Sequence, residues 1–92
     1  MTSRVRFFVS GKVQGVFFRS FTKSEATSLK INGWVRNLRD RRVEILGEGN
    51  KDALDELLSR IREGSPGSIV EKVDVIWEKY VGDLNGFRII WL

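Results

Sequence analysis

Residues 11 to 19, GKVQGVFFR, place two glycines four positions apart and end on an arginine. Little of the chemistry available here belongs to side chains. Glycine lets a backbone turn tightly and lets an oxyanion approach main-chain N–H groups closely. Arg19 adds a planar guanidinium able to make two parallel hydrogen bonds to a phosphate. A loop that binds through its amides and is closed by one cation is a candidate phosphoryl site. The spacing is neither the G-x-x-x-x-G-K-[ST] of nucleotide loops nor the G-x-G-x-x-G of dinucleotide binders, so ATP and NAD are not indicated. On glycine spacing alone, the stretch reads equally as a turn followed by a surface arginine.

What the chain lacks narrows the chemistry further. Its 92 residues include no cysteine and no histidine. Disulfides, thiolate nucleophiles, Ser-His or Cys-His pairs and thiolate or imidazole zinc sites are therefore excluded. Arginine, lysine, carboxylates, hydroxyls, amides and the backbone remain, and the expectation is an activity with no metal and no cofactor. A formal net charge of +4 points to an anionic partner, either a small phosphate or a nucleic acid.

The elements that must position the loop follow from periodicity. Val5, Phe7 and Val9 alternate along RVRFFVS, residues 4 to 10, as one face of a strand. Residues 19 to 30 carry Thr22, Ala26 and Leu29 at helical spacing, with Phe21 beside them. Residues 33 to 38 and 43 to 46 read as two strands joined by a tight turn at Arg39 to Arg42. Residues 50 to 63 form the clearest helix, with Asn50 as N-cap and a stripe of Ala53, Leu54, Leu57, Leu58 and Ile61. Ile69 to Lys79 alternates as a long strand, and Phe87, Ile89 and Trp91 line one face of a short last strand.

The order β-α-β-β-α-β plus a terminal strand predicts an α+β, ferredoxin-like split βαβ fold, an antiparallel sheet with two helices on one face. Length and the absence of a linker predict a single domain over residues 1–92. No stretch approaches the ~20 apolar residues that cross a bilayer, and MTSRVRFFVSG holds no apolar run long enough for a signal peptide. The expected location is the cytoplasm, with no membrane partner.

GKVQGVFFR and GWVRNLRDRRVE together resemble the two signature segments of the acylphosphatases, small cytosolic enzymes that hydrolyse the carboxyl-phosphate bond. The first matches G-x-V-Q-G-V-x-F-R throughout. The second matches G-W-V-x-N-x-x-D at Gly33, Trp34, Val35, Asn37 and Asp40, then V-E at Val43 and Glu44. The likeness extends along most of the chain, in element order and in length. It implies that Arg19 binds phosphate, that Asn37 holds the attacking water, and that the amides of Gln14, Gly15, Val16, Phe17 and Phe18 form the phosphate cradle. The Gln14 side chain itself reads as loop-shaping. The substrate would be a small acyl phosphate, inorganic phosphate a product, and the chain a monomer. Three positions depart from the family pattern. Lys30 and Arg41 stand where glycines are usual, and Arg39 replaces a frequent proline, so strain is expected at the first helix end and in the hairpin.

The chemistry is consistent with this inventory. A carboxylate leaves without a general acid, and phosphoryl transfer depends mainly on positioning and charge stabilisation. Phosphate monoesters, with poorer leaving groups, call for help that is not visible here. The rival is an RNA-binding or regulatory ferredoxin-like module without catalysis. RRVEILGE lacks the aromatic pattern that stacks bases, so no nucleic-acid partner is expected. Trp34, Trp77 and Trp91 read as core or half-buried sheet residues. Thr22 reads as packing, Asp40 as a turn residue, and Asp74 and Glu78 as wet-face carboxylates with no reason to shift their pKa.

Overall fold

Alternation of Val5, Phe7 and Val9 with Arg4, Arg6 and Phe8 builds β1 (Thr2–Lys12), and all three of the first set are fully buried. The computed structural model describes residues 1–91. After β1 come α1 (Phe18–Ser28), β2 (Asn32–Asn37), β3 (Val43–Asn50), α2 (Lys51–Glu63), β4 (Ile69–Glu78) and β5 (Phe87–Ile90). The sheet order is β4-β1-β3-β2-β5. Four strands pair antiparallel, as the sequence predicts, and β5 joins the edge parallel to β2. Both helices cover one face. Phe18 and Ala26 of α1, and Leu54, Leu57 and Ile61 of α2, close the core over Val5, Phe7, Val9, Val35, Val43 and Ile45. No helix among the described residues is long and apolar enough to cross a membrane.

The helix ends follow local chemistry. Asn50 caps α2 by accepting from the Asp52 amide at 2.9 Å, and Arg60 and Arg62 sit in its last turn, where the helix dipole favours cations. Lys30 ends α1 with φ 60°, donating its amide to Thr27 O while Ile31 N donates to Ala26 O. This paired pattern is a Schellman motif with lysine in the left-handed position usually given to glycine. In the β2–β3 hairpin, Arg41 N donates to Leu38 O and Leu38 N to Arg42 O, with Arg41 at φ 75°. That is a type I turn followed by a left-handed residue. Asp40 is a turn residue as read, accepting from the Arg42 amide and guanidinium, which hold its carboxyl below the usual range.

The face away from the helices differs from the sequence picture. β3 is central, and Glu44 and Glu48 on its outer face are almost wholly buried. Register places Arg4 directly opposite Glu48 on one side and Glu78 on the other, with Arg–carboxylate distances of 3.2 Å to each. Arg6 joins Glu78 (2.7 Å) to Glu44, and Arg36 reaches Glu44 at 2.6 Å. Trp34 lies under two of these cations, 5.8 Å from Arg6 Cζ and 5.1 Å from Arg36 Cζ. Glu48 also accepts from the amides of Val81 and Gly82, tying down the chain after β4. Trp77, read as core or half-buried, is exposed beside Lys51.

Glu78 therefore does have a reason to shift its pKa. The hydrogen bond from Arg6 holds it below the ordinary 4.5, against the opposing effect of burial. Burial alone would raise Glu48, but the Val81 amide, Arg4 and the Gly82 amide outweigh it and lower its value too.

A pKa depressed by folding adds stability above the unfolded value and loses it as pH falls through the folded one. The urea midpoint should therefore be flat near neutrality and fall below about pH 4.5, and Glu78→Gln should reduce that acid sensitivity. Lys30→Gly and Arg41→Gly should each raise stability by about 0.5–1 kcal/mol, strain relief exceeding the added unfolded-state entropy of glycine. Urea unfolding of each variant measures this.

Candidate active site

Strand β1 stops at Lys12 and the chain crosses to α1 through Val13–Phe17. Gly11 lies at a bulge in the β1–β4 pairing, where a Cβ would run into the carbonyl oxygen of Ile69. Its glycine serves that close approach, a use that the spacing in the sequence did not show. Gly15, at φ 74° with open space around it, does give the loop its turn. Phe17 follows in the left-handed region at φ 59° and is 87% exposed.

The N-terminus of α1 has no side-chain cap and no acidic residue in its first turn. Its first N–H groups have no partners within the helix, and its dipole presents positive charge there. Among the described residues, the amides of Gln14, Gly15, Val16 and Phe17 donate to no other backbone group. A run of free donors at an uncapped helix start is an anion-binding arrangement.

Gln14 holds this loop to the hairpin. Its side-chain Nε2 donates to Leu38 O and to Arg42 O, both at 2.9 Å. Leu38 follows Asn37, the last residue of β2, so the strap sets the cradle against Asn37. The side chain is loop-shaping, in agreement with the sequence reading.

A cleft of about 350 Å3 lies between these parts, lined by Gly15, Phe17, Phe18, Arg19, Asn37 and Trp91 among others. Gln14 and Val16 do not line it. The first is turned to the hairpin, and the second packs against the core. Asn37 Oδ1 is buried and has no hydrogen-bond partner among the described residues. Arg19, half-buried in the first turn of α1, stacks its Cζ 4.1 Å from the centre of the Trp91 ring and makes no ion pair among the described residues. Thr22, one turn on, faces inward and donates to Phe18 O, as its place on the apolar stripe implied.

Sequence reasoning misplaced Trp91 as it did Trp77. Trp91 is 72% exposed, neither core nor half-buried. The alternation of Phe87, Ile89 and Trp91 put it on one face of the last strand, but only pairing of β5 with β2 brings that face to Arg19. Among the described residues, no group of three or more acidic side chains is placed to hold a metal ion.

The chain is similar to known proteins in both sequence and fold. Residues 5–89 match the family model described as Acylphosphatase. An acylphosphatase of Syntrophus aciditrophicus is 45% identical over 91 residues, spanning 99% of this chain and 95% of its own. One from Rubrobacter xylanophilus is 50% identical over 88 residues, spanning 96% and 80%. The crystal structure of acylphosphatase from Bacillus subtilis superimposes with a TM-score of 0.93 at 40% identity, covering 98% of this chain and 99% of that one. On a family match across nearly the whole length and on relatives of this similarity, the chain belongs to the acylphosphatase family.

Proposed function

We propose that this chain hydrolyses the carboxyl-phosphate bond of small acyl phosphates, with Arg19 and the Gln14–Phe18 amides gripping the phosphoryl group and Asn37 orienting the attacking water. Family membership supports the reaction. The observation that carries the residue assignment is Asn37 Oδ1, a buried acceptor without a partner among the described residues, in the same cleft as Arg19 and the uncapped start of α1. An acceptor so placed holds a water molecule with its lone pair directed at phosphorus.

The amides and Arg19 stabilise the charge on the equatorial oxygens, in the manner of an oxyanion hole. Water oxygen bonds to phosphorus as the bond to the acyl oxygen breaks, and the carboxylate departs with the electron pair. Asparagine is no base, and among the described residues the cleft lining holds no carboxylate; in this reading the water proton passes to a phosphoryl oxygen of the substrate itself. The products are a carboxylate and inorganic phosphate.

A regulatory module without catalysis is not favoured, because Arg19 and Asn37 share one cleft. Nor is an RNA-binding one: on the open sheet face, where RNA-binding relatives of this topology stack bases, Arg4, Arg6 and Arg36 are engaged by glutamates. The same reading has the chain acting as a monomeric single domain in the cytoplasm.

Hydrolysis of benzoyl phosphate beside a monoester control tests the function, and turnover of the monoester alone would overturn it. Arg19→Ala should lower kcat/KM by on the order of 10²–10³ and weaken inhibition by inorganic phosphate. Asn37→Ala should lower kcat by a comparable factor while phosphate inhibition stays within about twofold. Normal rates in both variants defeat the assignment. Turnover should also persist in excess chelator, since the leaving group and the cationic cradle need no Lewis acid. Loss of activity on adding EDTA contradicts that.

A further inference from the structure

Trp91 has no part in the chemistry described so far, yet it is the residue in contact with the guanidinium of Arg19. On the outer face of the sheet, three arginines are fixed by carboxylates: Arg4 by Glu48 and Glu78, Arg6 by Glu44 and Glu78, Arg36 by Glu44. Among the described residues Arg19 has no carboxylate partner, and an aromatic face lies 4.1 Å from its guanidinium carbon. The difference has a physical consequence. A carboxylate would occupy the N–H donors of Arg19 and repel an incoming dianion. An indole ring attracts the cation through its face, leaves the guanidinium charge in place, and leaves the in-plane donors free.

We infer that Trp91 is a positioning residue, whose ring holds the Arg19 guanidinium ready for the phosphoryl group without neutralising it. An arginine without such a support samples many rotamers, and ordering it at each encounter weakens binding. The strand geometry explains how the residue arrives there. Val35 pairs with Ile89 and Gly33 with Phe87, so continuing the alternation past Ile90 carries Trp91 to the cleft beside the first turn of α1. This inference rests on Arg19 being a phosphate ligand. It does not require the protein to turn over an acyl phosphate.

The test compares Trp91→Phe, which keeps an aromatic face, with Trp91→Leu, which keeps apolar bulk alone. Inorganic phosphate affinity is read by calorimetry, benzoyl phosphate kinetics by kcat and KM separately, and stability by urea midpoint. Trp91→Leu should raise the Kd for phosphate and the KM about three- to tenfold, and Trp91→Phe should stay within about twofold of the parent. The urea midpoint should be the same in all three proteins, because Trp91 is largely exposed. In an Arg19→Ala background, Trp91→Leu should have no further effect on phosphate affinity. Equal behaviour of the Phe and Leu variants, a selective loss of stability in Trp91→Leu, or an undiminished effect without Arg19 overturns the inference. A parent protein that binds phosphate but leaves benzoyl phosphate intact refutes the proposed reaction while the binding arm still decides the role of Trp91. A parent that does not bind phosphate overturns both.

Discussion

One side-chain carboxamide links the two halves of the site. The cradle comes from the β1–α1 junction and Asn37 from the end of β2, and Gln14 bridges them through Leu38 O and Arg42 O. In-line displacement tolerates little error in the placing of water relative to phosphorus, and a misplacement of about 1 Å costs on the order of 10² in rate. Two hydrogen bonds to backbone carbonyls hold the loop to the hairpin more firmly than packing of Gly15 and the exposed Phe17 could. The remaining donors of the loop are thereby left free. A glutamine that bound phosphate directly would give up this tether.

The elements around that link divide the labour. The start of α1 contributes a dipole and unpaired amides because no Ser, Thr, Asp or Asn caps it; its N-cap residue is Phe17. A capping side chain would satisfy the same donors that an anion needs. The cost is local strain, visible in the left-handed Phe17. Strain at Lys30 and Arg41 is of another kind, since neither residue lines the cleft and glycine would fit both places.

Much of this was legible in the sequence because the signals were local. Period-two alternation located β1 and β4, the Asn50 cap and apolar stripe located α2, and the two signature segments marked Arg19 and Asn37. The outer face of the sheet was not legible. Glu44 and Glu48 look like ordinary solvent-facing residues until register brings Arg4, Arg6 and Arg36 across from them. Trp91 was hidden for the same reason: its face was readable, but its neighbour depended on which strand β5 joins. Gly11 shows the converse, a residue assigned to the loop by its spacing and claimed by a strand contact in three dimensions.

The ionic face has a consequence for the front of the molecule. Arg4, Arg6 and Arg36 are matched there by Glu44, Glu48 and Glu78. Lys12, Arg19, Arg39 and Arg41, in and around the cradle loop and hairpin, have no such partners among the described residues. These four cations at the loop and hairpin favour the approach of a diffusing dianion to that end of the molecule. Encounter, unlike the bond-breaking that follows, is then hastened in dilute buffer and slowed by added salt.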